Sequence, residues 1–342
     1  MSTKAMNASF RMGTIADPEF FFADCAQGDT HLLGPIPFTP PFPDDNVRVI
    51  ALASAVSSAF PAVPAIVCIA EQVDRNGFRL KARNSDLGTG FSNFNWMAVS
   101  EVPTLNADGS PLPPPDIRLG AVQPRLFFQD GVVTQPPGLD WQLWAGVPFS
   151  NPMSSGTVVV ATANNLNLSP FYWLLQDTSP FDSNNPLVYH NSAVVGIIQS
   201  PSATGFSLAA RNSDTARGIC AFYWAAFDAA VKPIVDPTVP DMVIDTGIAE
   251  ARSFAVSNTQ GDWNWWEIFF RKPFLTPPVV LVTANDQLGG GQLIPTKANI
   301  AAVGIAQNVT PYGFRLAGRS SDCAAGQAGF YWVAIGCSLG CG

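Results

Sequence analysis

Apolar residues come in short bursts along this chain. Thr157-Val158-Val159-Val160-Ala161-Thr162 and Pro278-Val279-Val280-Leu281-Val282-Thr283 are β-branched runs bounded by Pro and Asn. Elsewhere apolar and polar positions alternate, as in Phe-x-Leu-x-x-Arg and Phe-Tyr-Trp-x-Ala, which buries one face of a strand. No segment carries a sustained 3.6-residue stripe except the Ala/Ser-rich stretch from Ile50 to Phe60, which fits either period. The pattern predicts about six short strands per ~100 residues with turn chemistry between them, the mark of antiparallel sandwiches.

The bursts repeat. Gly77-Phe78-Arg79-Leu80-Lys81-Ala82-Arg83-Asn84-Ser85-Asp86 aligns without gaps with Gly205 to Asp214 and with Gly313 to Asp322. A Trp follows each Gly after nineteen residues: Trp96, Trp224 and Trp332. Upstream, Val67-Cys68-Ile69, Val195-Gly196-Ile197 and Val303-Gly304-Ile305 keep one spacing, and Pro37-Phe38, Pro148-Phe149 and Pro273-Phe274 form a further matched set. Phe10-Arg11-Met12-Gly13 resembles Ile117-Arg118-Leu119-Gly120, and more loosely Asp245-Thr246-Gly247.

The predicted architecture is therefore all-β: three tandem antiparallel six-stranded β-sandwich domains. Repeat 1 spans 1–101, a Pro-rich linker 102–116, repeat 2 spans 117–229 with an insertion at about 168–190, a second linker spans 230–241, and repeat 3 spans 242–342.

Charge narrows the partners. Only 13% of residues are charged and 47% are apolar, with a net charge of −8, and no Lys/Arg cluster along the sequence offers to neutralise phosphates. Nucleic acid is not an expected partner. No apolar run is long enough to span a membrane, and Met1 to Gly13 does not read as a signal peptide. So little charge leaves apolar surface to be covered by another subunit or a ligand. The six cysteines, Cys25, Cys68, Cys220, Cys323, Cys337 and Cys341, do not recur with the repeat, so no disulfide framework is expected. Cys68 stands where the other copies have Gly196 and Gly304, which predicts a buried free thiol.

Catalysis finds no foothold. His31 and His190 are unrepeated, no carboxylate pair recurs, and Gly289-Gly290-Gly291 lacks the Lys-Ser/Thr of a phosphate loop. Asp44-Asp45 and Asp182 with Asn184 are too sparse for a calcium loop. A non-enzymatic protein without cofactor or metal is expected.

The most repeated polar element is Arg83-Asn84-Ser85-Asp86, Arg211-Asn212-Ser213-Asp214 and Arg319-Ser320-Ser321-Asp322. It has two readings. As a ligand site, Arg offers a planar fork and Asn and Asp offer directed acceptors of the kind sugar hydroxyls need. As architecture, it caps its own turn and pairs internally. Its sameness in three copies favours the second. Asn164-Asn165 and Asn285-Asp286 end equivalent strands and read as turn formers or ligand groups. Trp96, Trp224 and Trp332 read as core. Trp263, Trp265 and Trp266 cannot all face inward from one strand, so at least one lies at a subunit contact or on a sugar-stacking surface. Tyr172 and Trp173 mark the insertion.

Phe269-Phe270-Arg271-Lys272-Pro273-Phe274-Leu275-Thr276-Pro277-Pro278-Val279-Val280, followed by Gly313-Phe314-x-Leu316 and Tyr331-Trp332-Val333-Ala334-Ile335, resembles the H-type lectin domain. The resemblance recurs three times over most of the chain. It implies a six-stranded sandwich that trimerises and binds sugars such as N-acetylgalactosamine between neighbouring subunits. Three copies in one chain then imply a covalent pseudo-trimer, or self-association into stacked trimers or a polymer. Where the family commonly carries a Trp-His-type pair, this chain has Ser85-Asp86, Ser213-Asp214 and Ser321-Asp322. The implied function is multivalent glycan recognition or adhesion, secreted or on a cell or virion surface. The alternative is a structural subunit of a fibre, sheath, virion or extracellular layer that uses the fold for packing only.

Overall fold

The computed structural model describes residues 10–22, 30–55, 65–85, 89–100, 117–127, 141–150, 152–153, 157–164, 194–212, 218–228, 234–235, 242–254, 263–286, 302–320 and 326–337. All regular structure among them is strand. Repeat 1 contributes β1 (Phe10–Phe21), β2 (Thr30–Pro37), β3 (Val47–Ala55), β4 (Ile66–Glu71), β5 (Gly77–Asn84) and β6 (Gly90–Ser100). Repeat 2 contributes β7 (Ile117–Phe127), β8 (Trp141–Pro148), β9 (Thr157–Asn164), β10 (Val194–Gln199), β11 (Gly205–Asn212) and β12 (Gly218–Asp228). After the two-residue β13 (Ile234–Val235), repeat 3 contributes β14 (Met242–Phe254), β15 (Trp263–Phe269), β16 (Val279–Asp286), β17 (Ala302–Thr310), β18 (Gly313–Ser320) and β19 (Gly326–Cys337). The ambiguous stretch from Ile50 resolves as strand through Ala55, and the 168–190 insertion lies outside the described residues. The second predicted linker is not wholly irregular: β13 within it pairs with β14.

Sheet order shows how the repeats combine. The three sheets run β1-β6-β3-β17-β18-β15, β2-β5-β4-β9-β12-β7 and β13-β14-β19-β16-β10-β11-β8. Each repeat splits its six strands between two sheets, and each sheet joins halves of two repeats. Pairing within a repeat is antiparallel, as the sequence predicts. The joins are parallel: β4 with β9, β10 with β16, and β17 with β3. Repeat 1 thus joins repeat 2, repeat 2 joins repeat 3, and repeat 3 joins repeat 1, which closes a ring. The strands at the joins are covered on both faces, and β9 is buried at every position, with no alternation of buried and exposed residues.

The signature motif builds the core of each repeat. Its Phe and Trp meet a third aromatic: Phe38, Phe78 and Trp96 in repeat 1, Phe149, Phe206 and Trp224 in repeat 2, Phe270, Phe314 and Trp332 in repeat 3. The corresponding Phe–Trp centroid distances are 5.4, 5.2 and 5.6 Å, all edge-to-face, a favourable geometry for aromatic pairs. The Trp ring lies flat over a Gly of the repeat's first strand. A Cβ added at Gly13, Gly120 or Gly247 would stand 2.8, 2.5 or 2.4 Å from Trp96, Trp224 or Trp332. Only glycine fits there.

The cage corrects one alignment. Phe38, Phe149 and Phe270 donate their N–H to Asn76 O, Thr204 O and Tyr312 O, the residue before the signature Gly. Phe274 N donates instead to Pro311 O, the role Phe42 and Met153 play towards Arg75 O and Ala203 O. Pro273-Phe274 therefore does not match Pro37-Phe38 and Pro148-Phe149. The partner of Phe38 is Phe270, four residues earlier.

Side chains clamp the joins. Thr162 Oγ1 accepts from Ala51 N at 3.0 Å and donates to Ala51 O at 3.1 Å. Thr283 Oγ1 makes the same two bonds to Ala161, at 3.1 and 3.4 Å. At the third join the equivalent residue is Leu52, and Asn95 Nδ2 donates instead to Val280 O at 2.9 Å. A cavity of about 50 Å³ remains where the three repeats meet, lined among others by Leu52, Cys68, Thr162, Val194, Thr283 and Val303.

Candidate functional site

The repeated Arg stands near the end of β5, β11 and β18, where strand alternation turns it away from the inward Phe and Leu of its own repeat. Across the ladder it faces the edge strand: Arg83 opposes Thr30, Arg211 opposes Trp141, and Arg319 opposes Trp263. Arg83 and Arg319 are each only 5% exposed, and Arg211 is half-buried. In repeat 1 the neighbours also turn inward. Asn84 Nδ2 donates to Phe22 O at 2.8 Å, and Ser85 donates from both N and Oγ to Ala65 O, at 2.9 and 2.6 Å. Ser320 is buried as well. The described part of the motif is thus engaged in holding the chain. Asp86, Ser213, Asp214, Ser321 and Asp322, and the side chain of Asn212, lie outside the described residues.

The same alternation gives each repeat a second strand face, opposite its aromatic cage, whose chemistry differs. Repeat 1 places Arg79, Lys81 and Arg83 there, repeat 2 Ser207, Ala209 and Arg211, and repeat 3 Arg315, Ala317 and Arg319, with Ser207, Ala209 and Ala317 buried. In repeat 3 this face forms a stacked ladder. The Arg319 guanidinium lies 5.1 Å from the Trp263 ring centre, Trp263 stacks on Trp265 at 5.5 Å and 22°, and the Arg315 guanidinium lies 3.9 Å from Trp265. Glu267 meets Arg315 Nε at 3.5 Å. Trp266 points the other way, is 6% exposed, and donates Nε1–H to Glu250 O at 3.0 Å. Trp263 and Trp265 therefore lie on the face opposite Trp266, half-buried against the core, with rings engaged by each other and by arginine.

Sequence reasoning missed an aromatic group in repeat 1. Phe22 is 64% exposed and Phe20 37%. Phe20 meets Phe22 at 5.0 Å and Phe91 at 4.9 Å, edge-on. The cluster adjoins the signature loop, because Phe22 O is the acceptor for Asn84. Where repeat 1 pairs Phe20 with Phe91, repeat 2 pairs Leu126 with Ile219 and repeat 3 pairs Ser253 with Gln327. The signal was present: Phe20-Phe21-Phe22 is a run of three aromatics whose ends cannot face inward with the middle, and Phe21 is fully buried.

Other candidates resolve as structural. His31 Nδ1 lies 3.0 Å from Glu19 Oε2 beside the Phe21 ring. Asp44 accepts from Asn46 N, and Asp45 from Arg75 N, both as turn supports. Asn164, the last residue of β9, and Asn285, in β16, are each 1% exposed, and their side-chain oxygens and nitrogens have no hydrogen-bond partner among the described residues. Burial pushes the Cys68 and Cys220 thiols far above the usual range, so neither is a nucleophile, while Cys337 is exposed. Cys25, Cys323, Cys341, His190, Tyr172, Trp173, Asp182 and Asn184 lie outside the described residues. Among the described residues no three His, Cys, Asp or Glu side chains gather as metal ligands, and no helix is long and apolar enough to cross a membrane. In comparisons with known proteins the chain matches no family model, no curated sequence and no solved structure.

Proposed function

We propose that the protein is a non-enzymatic, multivalent carbohydrate-binding protein of lectin type, with recognition concentrated at the signature-loop ends of the repeats. The exposed Phe20–Phe22 pair beside the Asn84 loop carries this reading. Exposed aromatic faces suit the C–H face of a pyranose ring. The H-type lectin resemblance of the strand framework supports it. The Phe20–Phe91 pairing belongs to repeat 1, so avidity in this reading comes from the recurring signature-loop ends of repeats 2 and 3, whose chemistry differs from it. Glycan-array screening followed by titration calorimetry tests the proposal. Binding that weakens at least tenfold in Phe22→Ala, with an unchanged circular dichroism spectrum, is the expected result. No binding of any hexose or hexosamine at millimolar concentration by the folded protein removes it.

A second reading, a packing subunit of an ordered assembly, is favoured by one observation. In repeat 3, Phe269 is 79% exposed, Tyr312 66% and Leu275 48%, where repeats 1 and 2 place Pro37 with Asn76 and Pro148 with Thr204. Large apolar side chains exposed together in one repeat are a mark of interaction surfaces. Native mass spectrometry and electron microscopy separate the two: a discrete particle fits the binding protein, an ordered polymer the packing subunit.

A further inference from the structure

The joins between repeats share one backbone geometry and differ in their chemistry. Thr162 and Thr283 each lock a neighbouring Ala with two hydrogen bonds, one accepted and one donated. Between repeats 3 and 1, Leu52 has no hydroxyl to offer. Beside its parallel strand pairing, the side-chain clamp shown at that join is the bond from Asn95 Nδ2 to Val280 O, with Asn95 Oδ1 held by Thr14 Oγ1 at 2.9 Å inside repeat 1. Tyr223 and Tyr331 occupy the position of Asn95 in the other repeats, opposite Thr162 and Thr283 on the ladder. The polar group has moved from the third strand of the repeat to the sixth.

Chain connectivity adds a second asymmetry. Repeats 1 and 2, and repeats 2 and 3, follow one another directly, so a broken join between them re-forms at the high effective concentration of a short tether. Repeats 3 and 1 are the ends of the series and meet only by closing the ring. Separation there releases the most conformational freedom.

We propose that the join between β17 and β3 is a gate: the ring opens there as a local event, short of unfolding, while the other two joins hold. Opening separates Ala306 and Gln307 from Ser54 and Ala55. It frees the Asn95 amide to water and widens solvent access to the partly open pocket where the repeats meet. Cys68, 3% exposed and lining that cavity, then becomes reachable, while Cys220, buried beside the far end of β9, stays protected within repeat 2.

Hydrogen exchange of the intact wild-type protein, followed by mass spectrometry, tests this without a mutation. Peptides from β3 and β17 should exchange at least about fivefold faster than those from β4, β9, β10 and β16, since one net hydrogen bond is worth roughly that factor. Cys68 should alkylate faster than Cys220 under native conditions, read by mass at each thiol. The double variant Leu52→Thr with Asn95→Tyr gives this join the residues of the other two, and should slow both β3/β17 exchange and Cys68 labelling. Equal protection at the three joins, or labelling of both thiols at the single rate of global unfolding, overturns the gate. Should the double variant fail to fold, the wild-type comparison still decides.

Discussion

Replacing Gly247 by Ala is the most direct probe of the aromatic cage. The added Cβ would stand 2.4 Å from Trp332 Cζ2, and the ring has little room to yield because Phe270 and Phe314 flank it at 6.0 and 5.6 Å. Overpacking of this kind costs about 1–3 kcal/mol. Ala also restricts the unfolded chain, which offsets about 0.4–1 kcal/mol of that. With the confined ring placing Gly247→Ala at the upper end of that range, a net loss of about 2 kcal/mol is expected, with Gly120→Ala close behind and Gly13→Ala the mildest, following gaps of 2.4, 2.5 and 2.8 Å. The effect on Tm also reports cooperativity. Unfolding entropy near 2.1 cal/mol/K per residue gives roughly 0.7 kcal/mol/K for all 342 residues, so Tm falls by about 3 °C if the ring melts as one unit. If repeat 3 melts alone, the same loss lowers its transition by about 9 °C and leaves a second peak in place. Differential scanning calorimetry of the three single variants makes the measurement. A change below ~0.3 kcal/mol in Gly247→Ala, or Gly13→Ala proving the most damaging, would refute a rigid cage.

Two further outcomes follow from the core. Asn285→Leu and Asn164→Leu should each stabilise by about 1 kcal/mol in guanidinium titration, because each removes a buried amide without partners; a loss of stability would reveal a polar partner at that position. The raised Cys68 and Cys220 thiols predict a sign for alkaline pH. The folded protein keeps both protonated while the unfolded chain ionises near the ordinary thiol value of 9.0, so stability is full below about pH 8 and declines as pH rises past 9. Cys68→Ala with Cys220→Ala should flatten that decline, measured by denaturant midpoints between pH 7 and pH 10; an unchanged slope assigns it to other groups.

Much of the fold was legible from neighbours along the chain. Period-two patterning, β-branched runs and Gly/Pro/Asn punctuation are local, and they placed the strands and the threefold repetition. The signature Gly has its own physical reason, since a Cβ at Gly77, Gly205 or Gly313 would stand 2.4, 2.3 or 2.2 Å from the carbonyl oxygen of Ile36, Val147 or Ile268 on the neighbouring strand. Matching motifs by composition failed where two similar Phe residues lay four apart: Phe270 and Phe274 look alike in sequence, and only the acceptor each one meets, Tyr312 O or Pro311 O, tells them apart.

The candidate site was legible in kind and not in disposition. Arg83, Asn84 and Ser85 are visible as a repeated polar motif, but nothing in their identity says that Asn84 and Ser85 spend their donors on Phe22 O and Ala65 O. Nor does a Trp or Phe run say which members face outward until strand parity is anchored by a buried residue such as Trp266 or Phe21.

What the sequence determined by itself was therefore the repeating unit, its strands and the aromatic and glycine positions of its core. These follow from contacts between residues close in sequence or at fixed offsets within one repeat. Tertiary structure alone decided that β4 pairs with β9, β10 with β16 and β17 with β3, so that no repeat completes a sheet by itself. Backbone donors and acceptors at a strand edge are the same for every residue type. Which edge satisfies which is settled by how three repeats close around a common centre.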